Sequence, residues 1–146
     1  MKKIGWILVS CVGLAACATL NQSNLDWIPI GPEFPAKKSA EEVEIFTDKN
    51  DITRPYGNLG LLRIKNLQQD REVLKRGVQK GRKFVASKGA DAMLLGQYNS
   101  AEDNSPNPTV TLIMYAIKYG DNLTDADKEA MRKFEVEGAL NNSVSF

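Results

Sequence analysis

The chain has 146 residues, 42% of them hydrophobic and 25% charged, which suits one globular domain with appendages. Its 19 basic and 18 acidic side chains nearly cancel, so it lacks the basic excess of a general nucleic-acid binder, and no nucleic-acid partner is expected. Histidine is absent, which removes the commonest general base and the commonest metal ligand together.

The chain opens with a basic pair, Lys2 and Lys3, followed by the apolar run "IGWILVSCVG" from Ile4 to Gly13. That core has signal-peptide length and is too short for a spanning helix, which needs about 20 apolar residues. Leu14-Ala15-Ala16-Cys17 follows and resembles the lipobox of bacterial lipoproteins. The residue types suit the chemistry. The Cys17 thiol is the nucleophile that accepts a diacylglyceryl group, and the small Ala15 and Ala16 let a peptidase cut between Ala16 and Cys17. The expected divisions are residues 1–16 as signal peptide, 17–40 as lipidated cysteine and tether, 41–140 as the globular domain, and 141–146 as a tail.

This reading has three consequences. Cys11 leaves with the signal peptide and Cys17 becomes a thioether, so a redox pair is ruled out and the mature chain has no thiol. Losing Lys2 and Lys3 takes the 19 basic side chains to 17 against 18 acidic, a balance of −1. Two or three acyl chains, palmitate among them, at about 0.8 kcal/mol per buried methylene anchor the chain stably to a membrane. By resemblance to lipoproteins of diderm bacteria, Ala18 in place of Asp implies the outer membrane, facing the periplasm. In a host with one membrane, the same label implies the cell exterior.

From Ala18 to about Ala40, Pro29, Pro32 and Pro35 favour an extended path. Within it "LDWIPI" gathers Leu25, Trp27, Ile28 and Ile30, which is unusual for a solvated linker. Two readings stand: the segment docks on the domain over an apolar patch, or Trp27 serves a membrane surface or a partner.

"EVEIFTD" (Glu42 to Asp48) alternates as a strand, and "DKND" and "RPYGN" carry turn chemistry. "LGLLRIK" (Leu59 to Lys65) is a second strand. Between Gln69 and Lys88 the period becomes helical, with Val73, Leu74, Val78, Phe84 and Val85 on one arc. Gly77 and Gly81 sit in that arc and predict close approach of the helix to a sheet. Gly89 ends the helix as a left-handed cap.

"ADAMLLGQY" (Ala90 to Tyr98) and "TVTLIMYAIKY" (Thr109 to Tyr119) are strands apolar on both faces, as expected at the centre of a sheet. "TDADKEAMRKFEVE" is a helix from Asp125 to about Glu137, with Thr124 as N-cap and Asp127 near the capping-box position. The order is ββαββα: a small two-layer α+β domain, one helix on a mixed four-stranded sheet and the last helix on another surface.

Tyr56, Leu59 and Gly60, followed by Gly89, Ala90, Asp91 and Ala92, resemble the YbjQ-type domains and the RcsF-type outer-membrane lipoproteins over roughly residues 40–120. The resemblance implies a small α+β fold. YbjQ-type domains form ring-like oligomers and have been associated with heavy metals, which leaves a homo-oligomer open for this chain. RcsF-type proteins sense envelope damage and act through contact with other envelope proteins. Their disulfides have no counterpart in a mature chain without thiols, and a soft-metal site lacks both His and Cys ligands.

The helix sets Arg71, Lys75, Arg76, Lys80, Arg82 and Lys83 opposite its apolar arc. A solvated face is one reading; a docking surface for anionic headgroups or an acidic partner, centred on Arg76, Lys80 and Lys83, is the other. Asp91 suits a corner that accepts backbone hydrogen bonds before a strand, with a binding carboxylate as the alternative. "DNLTDADKE" superficially looks like a calcium loop, but Leu123 and Ala126 occupy positions that need Asp or Asn and Gly, and helix capping explains it. The loop from Asn99 to Pro108 could be a recognition tip.

No catalytic residue, metal site or cofactor motif is assigned. The expected function is a non-enzymatic envelope lipoprotein acting through protein–protein contact as sensor, assembly factor or scaffold. A ligand-binding module using exposed faces of Tyr115 and Tyr119 is the alternative, and a carboxylate enzyme using Asp91 or Glu102 a third.

Overall fold

The computed structural model describes residues 24–96, 99–100, 106 and 108–142, with side chains described up to residue 134 and excepting 99 and 100. The lipobox, Cys17 and Ala16 included, lies outside the described residues, as do Glu102, most of the loop between Asn99 and Pro108, and residues 143–146.

The strands are β1 (Leu25–Pro29), β2 (Glu44–Phe46), β3 (Tyr56–Gln68), β4 (Ala92–Leu95), β5 (Asn99–Ser100) and β6 (Thr109–Tyr119), and the helices are α1 (Arg71–Ser87) and α2 (Asp125–Asn142). They form an α+β domain whose sheet runs β1-β3-β6-β4-β2, with the short β5 also pairing β6. All neighbours are antiparallel except β2 and β4, so the sheet is mixed as expected. The four expected strands are joined by a strand from the tether. β1 pairs with β3 along its whole length, from Leu25 opposite Ile64 to Pro29 opposite Gly60. Pro29 is tolerated there because β1 is an edge strand.

The two-sided strands stand where their composition demands, with β6 between β3 and β4. On one face Leu62, Ile64, Met93, Met114 and Ala116 are fully buried beneath α1. The expected close approach of the helix is present. A Cβ on Gly77 would meet Leu112 and Leu67, each at 2.9 Å, and one on Gly81 would collide with Met114 Sδ. On the other face Leu61, Leu94, Ile113 and Tyr115 are half-buried.

Local chemistry sets the ends of α1. Asp70 Oδ1 accepts the amides of Glu72 and Val73, both at 3.0 Å, as an N-cap. At the other end Gly89 takes φ +78°, its amide donates to Ala86 O at 3.0 Å and that of Ala90 to Val85 O at 3.1 Å, the paired bonds of a Schellman motif. α2 begins with the expected capping box, in which the Asp127 amide donates to Thr124 Oγ1 and the Thr124 amide to Asp127 Oδ2. It meets the domain through Met131, which is buried against Gly57 in the same core cluster that α1 covers.

Three boundaries differ from expectation. β3 extends to Tyr56, so "YGN" is strand: Tyr56 to Asn58 pair with Tyr119 to Ile117 and override local turn propensity. Two register shifts, between Asn58 and Gly60 and between Ile64 and Leu67, absorb the extra length, and Asn66 takes φ 58° at the second. β2 shrinks to three residues because Ser39 and Asp48 cap short 3-10 turns on either side. α2 runs past Glu137 to Asn142, since Ala139 and Leu140 are strong helix formers and one glycine at 138 does not end it.

Candidate functional site

The densest polar constellation lies at the end of the sheet where α1 finishes and β4 begins. Asp91, only 4% exposed, is fixed there by the Gly89 turn. Its backbone amide donates to Ile117 O at 2.8 Å, which continues the β6 ladder. Its carboxylate accepts from Lys37 Nζ at 2.5 Å, Lys118 Nζ at 3.3 Å and the Tyr119 amide at 3.0 Å. Lys118 Nζ also donates to Gly89 O at 2.9 Å and stands 5.0 Å from the Phe34 ring centroid. Burial pushes the Asp91 carboxyl up, but the hydrogen bond from Lys37, the Tyr119 amide, the Asn122 side chain and the Lys118 charge outweigh it and hold the group below its ordinary value.

A second layer lies beside the first. Tyr119, 2% exposed, donates its hydroxyl to Glu44 Oε2 at 2.9 Å, while the Arg54 guanidinium covers its ring at 3.7 Å. Arg54 in turn holds Asp121 through Nε at 3.0 Å and Nη2 at 2.6 Å. Burial and the carboxylate of Glu44 push the Tyr119 phenol up to about 12.

These contacts consume the groups that make them. Asp91 receives donors on both oxygens, which matches the reading of a structural corner. Tyr119 presents no exposed ring face, which corrects the expectation of a ligand surface built on Tyr115 and Tyr119; Tyr115 is half-buried. Sequence reasoning missed Lys37 and Lys118 as partners of Asp91. Lys118 had a signal, since it interrupts an otherwise apolar strand; Lys37 had none.

The structure divides the residues singled out as partner-binding. Trp27 is half-buried: its ring packs edge-on against Phe84, centroids 5.5 Å apart, and fills the space above Gly60. That is the docked arrangement. Lys80 Nζ donates to Asn24 Oδ1 at 3.2 Å, which sets its flank of α1 beside β1. Arg82 marks the opposite flank, donating to Val43 O and Glu41 O at 2.9 Å each beside β2. Arg76 and Lys83, one turn either side of Lys80 along α1, are exposed, and the Lys83 charge acts with that of Arg82 on the Glu41 carboxylate.

A shallow depression of about 200 Å³ lies between the start of β3 and α2, lined by Pro55, Tyr56, Gly57, Leu123, Met131 and Arg132 among others. Tyr56 is 39% exposed at its rim. Among the described residues no group of three or more His, Cys, Asp or Glu side chains is placed to hold a metal ion, and no helix is long and apolar enough to cross a membrane.

No family model matches the chain, and no curated protein does. A crystal structure of the Francisella virulence factor FvfA, in its orthorhombic form, is similar to it in fold. The TM-score is 0.47 at 19% identity, over 63% of this chain and 94% of that one.

Proposed function

We propose that the chain is a lipid-anchored envelope protein, held by Cys17 on the periplasmic face of the outer membrane, that acts through contact with another envelope protein. The observation that carries this is the short lead from anchor to fold. Leu25, the first sheet residue among the described residues, follows Cys17 by eight positions. Fully extended, eight residues reach at most about 29 Å, so the domain stays against the membrane that bears the lipid.

The end of the sheet carrying Leu25 is therefore proximal, and the end carrying Tyr56, Arg54 and Asp121 is distal, about 25 Å away along β3. The distal end, with exposed Tyr56 beside the depression against α2, is the surface offered to a partner. The RcsF-type resemblance at Tyr56, Gly60 and Gly89 to Ala92 favours the same class of action. The engagement of Asp91 by Lys37, Lys118 and Tyr119 favours a structural over a catalytic carboxylate.

The test is photo-crosslinking in native cells from position 56 and, as a control, from position 75 on α1. A discrete envelope protein captured from position 56 and absent from position 75 is the expected result. Equal, diffuse capture from both overturns the contact reading.

A further inference from the structure

The face of the sheet turned away from α1 carries an apolar row that crosses every strand of the main path. Ile28 stands opposite Leu61, Leu61 opposite Tyr115, Tyr115 opposite Leu94, and Leu94 opposite Phe46. All five are half-buried, and four steps of about 4.8 Å make the row about 19 Å wide. Ile113, two residues along β6, widens it. Among the described residues, Ile52 from the segment between β2 and β3 closes one corner of this face, over Ala92, Ile117 and Tyr119. The core beneath α1, which Met131 of α2 joins, lies on the other face. The two edges of the open face differ in charge. At the β1–β3 edge Lys65 and Arg63 share Asp26, at 3.2 and 3.9 Å, two cations on one carboxylate. From Glu44 to Asp51 the β2 edge holds three acids, Glu44, Asp48 and Asp51, against one base, Lys49.

We propose that this face packs on the same face of a second copy, sheet against sheet, about a two-fold axis that runs along the strands over Tyr115. The axis reverses the strand order. It therefore lays the row on itself, with Ile28 over the partner's Phe46, Leu61 over the partner's Leu94, and Tyr115, on the middle strand, over the partner's Tyr115. The same reversal sets the cationic β1–β3 edge of each copy beside the acidic β2 edge of the other. β2 and β3 run in one direction, and Asp48 lies two residues past Phe46 as Arg63 lies two past Leu61, so acid and cation meet at one level. A face with one positive and one negative edge fits itself in this way better than it fits a surface of uniform charge. The direction of the axis rests on the anchor reading above. One membrane holds both copies at their Leu25 ends, so an axis along the strands is the membrane normal and points both Tyr56 ends away. An axis across the strands would put the two Leu25 ends on opposite sides. At roughly 19 by 20 Å the patch is smaller than the roughly 800 Å² per partner of a standard interface, so the pairing draws on the anchors, which concentrate the copies in one plane.

The lipidated mature chain has no thiol of its own, so single cysteines placed in the full protein in its native membranes report contacts between copies. A short bismaleimide should join Tyr115→Cys to itself, since that position lies on the axis. Ile28→Cys and Phe46→Cys should join each other in cells that carry both variants, and several-fold less to themselves, which keeps the answer should Tyr115→Cys fail to fold. Gln79→Cys, exposed on α1, should stay monomeric. Arg63→Glu with Lys65→Glu should lower the Tyr115→Cys dimer several-fold, and high salt should do the same should that variant fail to fold. A Tyr115→Cys chain that yields no dimer overturns the pairing, whether a monomaleimide reaches the thiol or another cover shields it. Capture of a different protein from position 115 overturns it too. Self-linking of Ile28→Cys as strong as its linking to Phe46→Cys overturns the axis. Mass spectrometry of the same membranes separates the two readings: a lipidated chain without dimer overturns this proposal alone, and a chain without lipid overturns the anchor reading and the choice of axis with it.

Discussion

Lys37 Nζ lies 2.5 Å from Asp91 Oδ1, joining residues 54 positions apart and tying the segment before β2 to the corner where α1 turns into β4. Asp91 is also the counter-charge of the buried Lys118. Replacing it by Asn leaves that ammonium without a carboxylate, and loss of one partner from a buried pair costs about 3 kcal/mol. Asp91→Asn is expected to lower stability by that order in urea denaturation. Because the folded carboxyl lies below its ordinary value, its contribution is complete above pH about 4 and fades as pH falls through the folded pKa. The wild type should therefore lose stability steeply at acid pH where Asp91→Asn loses less.

Tyr119 gives the opposite sign. Its phenol, pushed up to about 12, favours the protonated form in the fold, so its contribution is present below pH about 10 and is lost as pH rises towards 12. Ultraviolet titration should find one of the four tyrosines ionising late. Glu44→Gln removes the acceptor charge and should bring that step to lower pH.

Trp27 reports directly on β1. Once residues 1–16 are removed it is the single tryptophan in the chain. Packed on Phe84 and over Gly60, it should emit at shorter wavelength than a solvated indole. A Cβ at position 60 would enter the Trp27 ring and stand 2.8 Å from Ile28 O, so Gly60→Ala should expel the ring, red-shift its emission and cost about 2 kcal/mol or more.

Gly89→Ala tests the corner. Its φ of +78° disfavours any side chain, and the new methyl would lie 2.6 Å from Phe34 Cβ and 2.7 Å from Pro35 O. A loss of about 2–3 kcal/mol is expected by thermal denaturation. Gly81→Ala should cost less, because the atoms it meets belong to the flexible Met114 and Leu62 side chains.

Much of this fold was legible in the sequence where the cause is local. The helical arc with Gly77 and Gly81, the left-handed Gly89, the Thr124 cap and the two-sided β6 each follow from neighbours within a turn or a strand. β1 was harder, since three prolines argue for a linker and its pairing partner lies in β3. Its legible trace was the apolar "LDWI". The Asp91 cluster was half-legible. A buried carboxylate before a strand and a lysine in an apolar strand are both visible, but nothing local matches Lys37 to Asp91 across 54 positions. The basic residues of α1 were legible as its polar side, but the contact of Lys80 with Asn24 was not, because it joins residues 56 positions apart.

The account turns on the chemical state of Cys17, and intact-mass and peptide mass spectrometry of the protein from its native cells measures it directly. The predicted chain begins at residue 17 and carries a diacylglyceryl thioether with an acylated amino terminus, and Cys17→Ser retains the leader. A chain that still bears residues 1–16, or that begins at an unmodified cysteine, would contradict it.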